Sequence, residues 1–144
     1  KQIPLILSRT QRLPGRNGDP VDAPFTLPAQ LAAAGIPFGL MMDGAWEQRN
    51  IPFQAGQAVG YGLAPERAVQ ALTGDAARIL GIDATYGTLE IGKSATLFIS
   101  AGDALDIRGN KLEAAFIDGR RLELSDKQTG LYKKFSEKYG VEAP

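Results

Sequence analysis

Phe53-Gln54-Ala55-Gly56-Gln57-Ala58-Val59-Gly60-Tyr61-Gly62-Leu63-Ala64-Pro65-Glu66-Arg67-Ala68, then Ala71-Leu72-Thr73-Gly74-Asp75-Ala76-Ala77-Arg78-Ile79-Leu80-Gly81, then Tyr86-Gly87-Thr88-Leu89-Glu90-Ile91-Gly92-Lys93-Ser94-Ala95-Thr96-Leu97-Phe98-Ile99, decides how this chain is organised. Its first part reads as helices punctuated by glycine. Pro52 suits the first turn of a helix over about 52–61, which Gly62 closes. Pro65 opens a second, with Ala68, Val69 and Leu72 on one face. Thr73-Gly74 interrupts it, Asp75 caps a continuation through Ile79-Leu80, and Gly81 ends it. From Thr88 the period changes to two: Leu89 and Ile91 alternate, Gly92-Lys93 turns the chain, and 95–99 is a compact strand. Gly81 and Gly87 stand where a helix gives way to a strand, conformations that suit positive φ.

Outward from this stretch, 3–7 is an apolar run of strand length, followed by a polar loop from Ser8 to Pro24 rich in Gly, Pro and Arg. Thr26 reads as the N-cap of a helix through Leu27 and Leu31, which Gly35 stops. Residues 36–42 read as a second buried strand ending at Asp43-Gly44. Strand, helix and strand with continuous apolar strands predict a parallel βαβ unit. Towards the C-terminus, 114–117 and 120–124 flank Asp118-Gly119, a two-residue hairpin loop with both central residues at positive φ. Ser125 with Gln128 forms a capping box for a last helix. Its apolar stripe of Leu131, Tyr132, Phe135 and Tyr139 predicts docking on the body, with the lysines on a solvated outer face. The boundary between an α/β part (1–86) and an antiparallel part with a terminal helix (87–144) falls near residue 86.

Composition narrows the chemistry. Among 144 residues, 16 Lys plus Arg balance 16 Asp plus Glu, so no excess charge favours nucleic acid. No apolar run approaches the length of a membrane span. There is no cysteine and no histidine, which excludes a thiol nucleophile, a Ser-His-Asp triad and a histidine-ligated zinc built from this chain alone. The first residues open into a strand without an initiator Met, which leads us to expect that further residues precede them.

The ordered set of Tyr61-Gly62-Leu63-Ala64-Pro65-Glu66, Ile79-Leu80-Gly81, Gly87-Thr88-Leu89-Glu90-Ile91-Gly92-Lys93 and Ala115-Phe116-Ile117-Asp118-Gly119-Arg120 resembles the C-terminal end of the amidohydrolase superfamily, in its imidazolonepropionase-like branch. The resemblance covers roughly residues 36–121. It implies an α/β fold: the last β/α units of a TIM-like (β/α)8 barrel, then a small β-sandwich lobe and a C-terminal helix. It also implies a parent protein that hydrolyses a C–N bond in a small cyclic amide or amide, assisted by a divalent metal, zinc first among the candidates.

In that family an aspartate at the end of the last barrel strand binds metal, orients the hydrolytic water and takes its proton. Asp43 is the matching position, which makes it the catalytic and metal-binding candidate; the same residue also reads as one half of an Asp-Gly turn. The family's histidine ligands have no counterpart here. The expectation is therefore that this chain is inactive and metal-free by itself, its site completed by a missing N-terminal barrel segment or a second chain. Arg9, Arg12 and Arg16 lie on a loop that a barrel would place at its active face, where they would bind an anionic group of a small-molecule substrate, or else form a solvated loop. Trp46 would wall a pocket or pack on the rim. The rival reading is a non-catalytic, self-associating assembly domain, such as a homodimer that covers an apolar strand edge. The compartment, cytoplasmic or exported, stays open.

Overall fold

The computed structural model describes residues 3–141. Strand β1 (Leu5–Ser8) leads through a long loop to helix α1 (Ala23–Ala33), which returns the chain to strand β2 (Phe38–Met41). The two strands are parallel, in the register Leu5 with Phe38 and Ser8 with Met41, as the βαβ pattern requires. A 3-10 turn (Gln48–Asn50) runs into α2 (Ile51–Gly60), and α3 (Pro65–Leu72) and α4 (Gly74–Leu80) follow. The antiparallel sheet is β3 (Leu97–Ser100), β4 (Leu112–Ile117) and β5 (Arg120–Arg121), in that order. Helix α5 (Lys127–Tyr139) closes the described chain.

The apolar core lies where α2 and α3 meet the parallel pair, with α4 also against β2 and α1 packed on α2. Phe38, Ala55, Ala58, Leu63, Ala68, Ala71 and Leu105 are its buried members, with Leu7 and Leu40 packed against them. Alanine on three helices leaves little side-chain bulk between the helix axes, so the layer is held by close approach rather than by large side chains. Phe38 fills the centre, and the Arg67 guanidinium lies 5.5 Å from its ring centroid. Leu105, from the segment between β3 and β4, enters the same cluster. It does so because Gly56 has no side chain: a Cβ there would overlap the Leu105 carbonyl.

Several local expectations give way to the packing. Helix α1 begins one turn before Thr26. Its N-cap position is Asp22, and Thr26 Oγ1 donates to the Asp22 carbonyl inside the first turn. Burial of Pro24 and Pro28 and the contact of Phe25 with Tyr61, with ring centroids 5.1 Å apart, set that earlier start. Asp75 is not a cap. It is buried in the first turn of α4, where Arg67 and Arg78 donate to its two oxygens at 2.7 and 2.6 Å. On α3 the inward face is Ala68 and Ala71, while Val69 is exposed.

Residues 88–93 form no strand. Lys93 binds the Thr88 hydroxyl at 2.6 Å and the Lys93 N–H bonds back to the Glu90 carbonyl, so local polar groups curl the segment and leave Leu89 and Ile91 in solvent. The Asp118-Gly119 hairpin is as expected, with φ of 48° and 78°. The cap of α5 falls one residue later than Ser125. The Asp126 carboxylate accepts the Thr129 N–H at 2.6 Å and its hydroxyl at 2.7 Å, a stronger acceptor than a serine hydroxyl. The stripe of α5 is not docked: Leu131, Tyr132, Phe135 and Tyr139 are all exposed.

Replacing Gly56 by Ala should destabilise the chain by about 1–3 kcal/mol, because the Leu105 backbone must retreat. Gly60→Ala, at a helical position with open space around it, should instead stabilise by about 0.4–1 kcal/mol. Urea denaturation of the two variants checks the contrast in sign. The Thr129 N–H, then its hydroxyl, hold the Asp126 carboxyl below the usual aspartate range. A lowered folded value means that the capping contribution is complete above the ordinary aspartate pKa and is lost as pH falls through the lowered one. Helical ellipticity from α5 should fall in that acid window, and should lose this pH response in Asp126→Asn.

Candidate functional site

Because β1 and β2 are parallel and in register, their C-terminal ends leave the sheet side by side. Ser8-Arg9-Thr10 emerges beside Met42-Asp43. Arg9 keeps contact with β2 through its N–H, which donates to the Met41 carbonyl at 3.4 Å. Its backbone then turns left-handed, with φ of 48°, a conformation that costs a non-glycine residue about 1–2 kcal/mol.

Two charge contacts follow from that turn. Arg9 Nε lies 3.7 Å from Asp43 Oδ2, and Arg9 Nη2 lies 3.4 Å from Glu47 Oε2. Ser8 Oγ donates to the same Asp43 oxygen at 3.2 Å. The side chains of Arg9 and Asp43 are 47% and 60% exposed, so the cluster faces water and its Coulombic attraction is screened.

Beneath this polar rim is a buried clamp. The Thr10 N–H donates to Gln54 Oε1 at 2.7 Å and the Thr10 hydroxyl to the same oxygen at 3.0 Å. The Gln54 amide nitrogen donates to the Met42 sulfur. One side chain on α2 thus holds the chain just beyond each strand end: Thr10, two residues after β1, and Met42, the residue after β2. The sequence carries no local sign of this, because a glutamine inside a helix is usually a solvated residue. Ser8 and Glu47 were discoverable in principle, Ser8 as the last residue of β1 and Glu47 four residues after Asp43.

Of the other candidates, Arg12 shares a groove with Arg9, and Arg16 and Trp46 are exposed. Arg12 lines an open groove of about 410 Å³ beside β1, together with Ile6, Pro24 and Leu27. Arg16 is exposed on the loop, its carbonyl accepting the Asp19 N–H at 3.4 Å. Trp46 is 81% exposed, with the Arg49 guanidinium 6.0 Å from its ring centroid. The structure therefore brings Arg9 to Asp43, sets Arg12 next to β1, and leaves Arg16 and Trp46 in solvent.

Comparison with known proteins gives this geometry a lineage. Residues 25–126 match the family model of the amidohydrolase family. Over 110 residues the chain is 30% identical to an imidazolonepropionase of Flavobacterium psychrophilum, a match that takes in 69% of this chain and 27% of that protein. An amidohydrolase from Thermotoga maritima MSB8 superposes with a TM-score of 0.72 at 26% identity, covering 85% of this chain and 32% of the other. A putative prolidase from Bifidobacterium longum is similar in fold alone, at 23% identity and a TM-score of 0.53, covering 81% and 31%. The chain belongs to the amidohydrolase family, and its mixed α/β fold fits that TIM-barrel superfamily. It spans about a third or less of the length of these relatives.

The family is generally metal-dependent, so the donor set can be tested against a divalent ion. It does not fit one. The sequence has no histidine and no cysteine, and among the described residues no group of three or more His, Cys, Asp or Glu is placed to hold a metal. The carboxylates of Asp43 and Glu47 both face Arg9. A catalytic zinc normally takes three protein ligands.

If the Gln54 clamp fixes the strand ends, Gln54→Met should cost about 1–3 kcal/mol at nearly constant volume, since it leaves the buried Thr10 N–H unpaired. Chemical denaturation measures the loss. Amide hydrogen exchange should show the Thr10 N–H losing protection ahead of the helices.

Proposed function

We propose that this chain is the C-terminal part of a metal-dependent hydrolase that cleaves a C–N bond in a small cyclic amide or amide, zinc being the favoured ion. On this reading β1, α1 and β2 are the last barrel units, residues 1–86 are barrel and 87–144 are lobe, and β3, β4 and β5 belong to a small β-sandwich. Asp43 is the acid of the last barrel strand, holding water and taking its proton once the histidine ligands are supplied. Arg12, Arg16 and Trp46 would contact substrate, joined by Arg9 if it leaves its carboxylates. The observation that carries the proposal is the delivery of Asp43 at the C-terminal end of a parallel strand, the end at which barrel enzymes of this kind place their chemistry. Similarity to an imidazolonepropionase supports the substrate class.

The chain by itself is inactive on this reading, and its site is completed by an N-terminal barrel segment or a second chain that brings histidines. The exposed side chains of Leu5 and Ile6 on β1, and of Phe98, Ile99 and Ile117 on the antiparallel sheet, favour burial against such a partner. The same exposure supports the second reading, a non-catalytic homodimer or assembly domain that covers the β1 edge with a copy of itself.

Native mass spectrometry with metal analysis separates the two. Co-expression with a histidine-bearing barrel segment should yield a joint complex with stoichiometric divalent metal; a metal-free homodimer that ignores the segment favours the assembly reading. In the joint complex Asp43→Asn should lower turnover by about 10²–10⁴-fold with the complex intact. Unchanged turnover would remove Asp43 from the chemistry.

A further inference from the structure

We infer that Arg9 is the resident cation of this strand-end site: its guanidinium engages both Asp43 and Glu47, and it keeps a divalent ion off these carboxylates in this chain. The argument starts from the backbone. Arginine is not a residue that favours a left-handed φ, yet Arg9 adopts 48° one residue after β1. Its N–H stays on the Met41 carbonyl, and the next residue, Thr10, is buried and doubly bonded to Gln54. The surroundings therefore hold the strained conformation, and what it delivers is the guanidinium.

That guanidinium is shared. Nε faces Asp43 Oδ2 at 3.7 Å while Nη2 faces Glu47 Oε2 at 3.4 Å, so one planar cation is shared by the two carboxylates nearest this strand end. Ser8 Oγ donates to the same Asp43 Oδ2 at 3.2 Å, which occupies that oxygen further. A divalent cation entering here would have to displace Arg9 from these carboxylates or sit beside its positive charge, with no imidazole in the sequence to compensate. Within this chain the poor fit of these carboxylates to a divalent ion therefore follows from the contacts of a named residue. The inference rests on these contacts and holds whether or not Asp43 is the family acid.

The test uses the chain as it stands, with Mn²⁺ as a hard, oxygen-seeking probe counted by the paramagnetic resonance of the free ion. Arg9→Asn removes the charge while keeping a residue that tolerates the left-handed backbone. Arg9→Gly is the second variant, with no strain at all at that φ. Wild-type chain should leave Mn²⁺ free, with a thermal midpoint that the ion does not move. Both variants should bind it about tenfold more tightly than wild type, and binding should vanish again when Asp43→Asn is added. The inference is overturned if the folded variants bind no better than wild type. It is equally overturned if wild type takes up stoichiometric Mn²⁺ that Asp43→Asn abolishes. Neither result depends on turnover, so the outcome is separate from the fate of the hydrolase reading.

Discussion

Everything at the candidate site depends on two short strands running the same way. A parallel pair cannot be closed by a tight turn, so the chain must cross over, and here α1 is the crossover that brings it back to the start of β2. The consequence is that both exits lie at one end. Four residues of register, from Leu5 opposite Phe38 to Ser8 opposite Met41, put Arg9 and Asp43 within reach of each other although they are far apart in sequence. An antiparallel pair of the same residues would send the two exits to opposite ends. The alanine-rich layer of α2 and α3 matters because it lets helices come close enough to cover so small a sheet.

The two ends of the sheet are built differently. At the exit end the polar groups are exposed charges over a buried amide clamp. Ahead of β2, Ile36 and Pro37 line a cleft with Arg67 and Asp75, and Asp75 is buried with arginines on both of its oxygens. A buried carboxylate with two cationic donors has its hydrogen-bonding capacity met, and removing either arginine would leave it short of a partner. The exit end instead leaves its charged side chains half exposed to solvent.

Much of this was legible from residue types alone, wherever a single local cause decides the conformation. Glycines at 35, 62 and 81 end helices because positive φ suits them, and Asp118-Gly119 turns the hairpin for the same reason. The parallel βαβ unit followed from apolar runs, whereas the contact of Arg9 with Asp43 did not: in the sequence the arginine reads as a substrate contact or as part of a solvated loop. What escaped was decided by contacts distant in sequence. Thr26 looks like a cap until Phe25 is packed on Tyr61. Ser125 and Asp126 are adjacent candidates, and the carboxylate wins by acceptor strength. Leu89 and Ile91 alternate like a strand, but alternation forms no strand when no neighbouring strand pairs with it. Gln54 was invisible as a clamp, since its role exists only once Thr10 and Met42 have been brought beside α2.

Helix α2 has a further property, which concerns its length. Gln54 reaches the strand ends and Gly56 receives Leu105, and two residues along a helix turn the direction by about 200°. The helix is therefore a spacer gripped on opposite sides, by the parallel pair on one and by the segment joining β3 to β4 on the other. A single inserted residue ahead of Gln54 would rotate both contacts out of place together. Much of the loop between Thr10 and Pro24 is exposed, and loops of that kind tolerate changes of length. An insertion is therefore far cheaper in that loop than in α2, where it would displace two contacts at once.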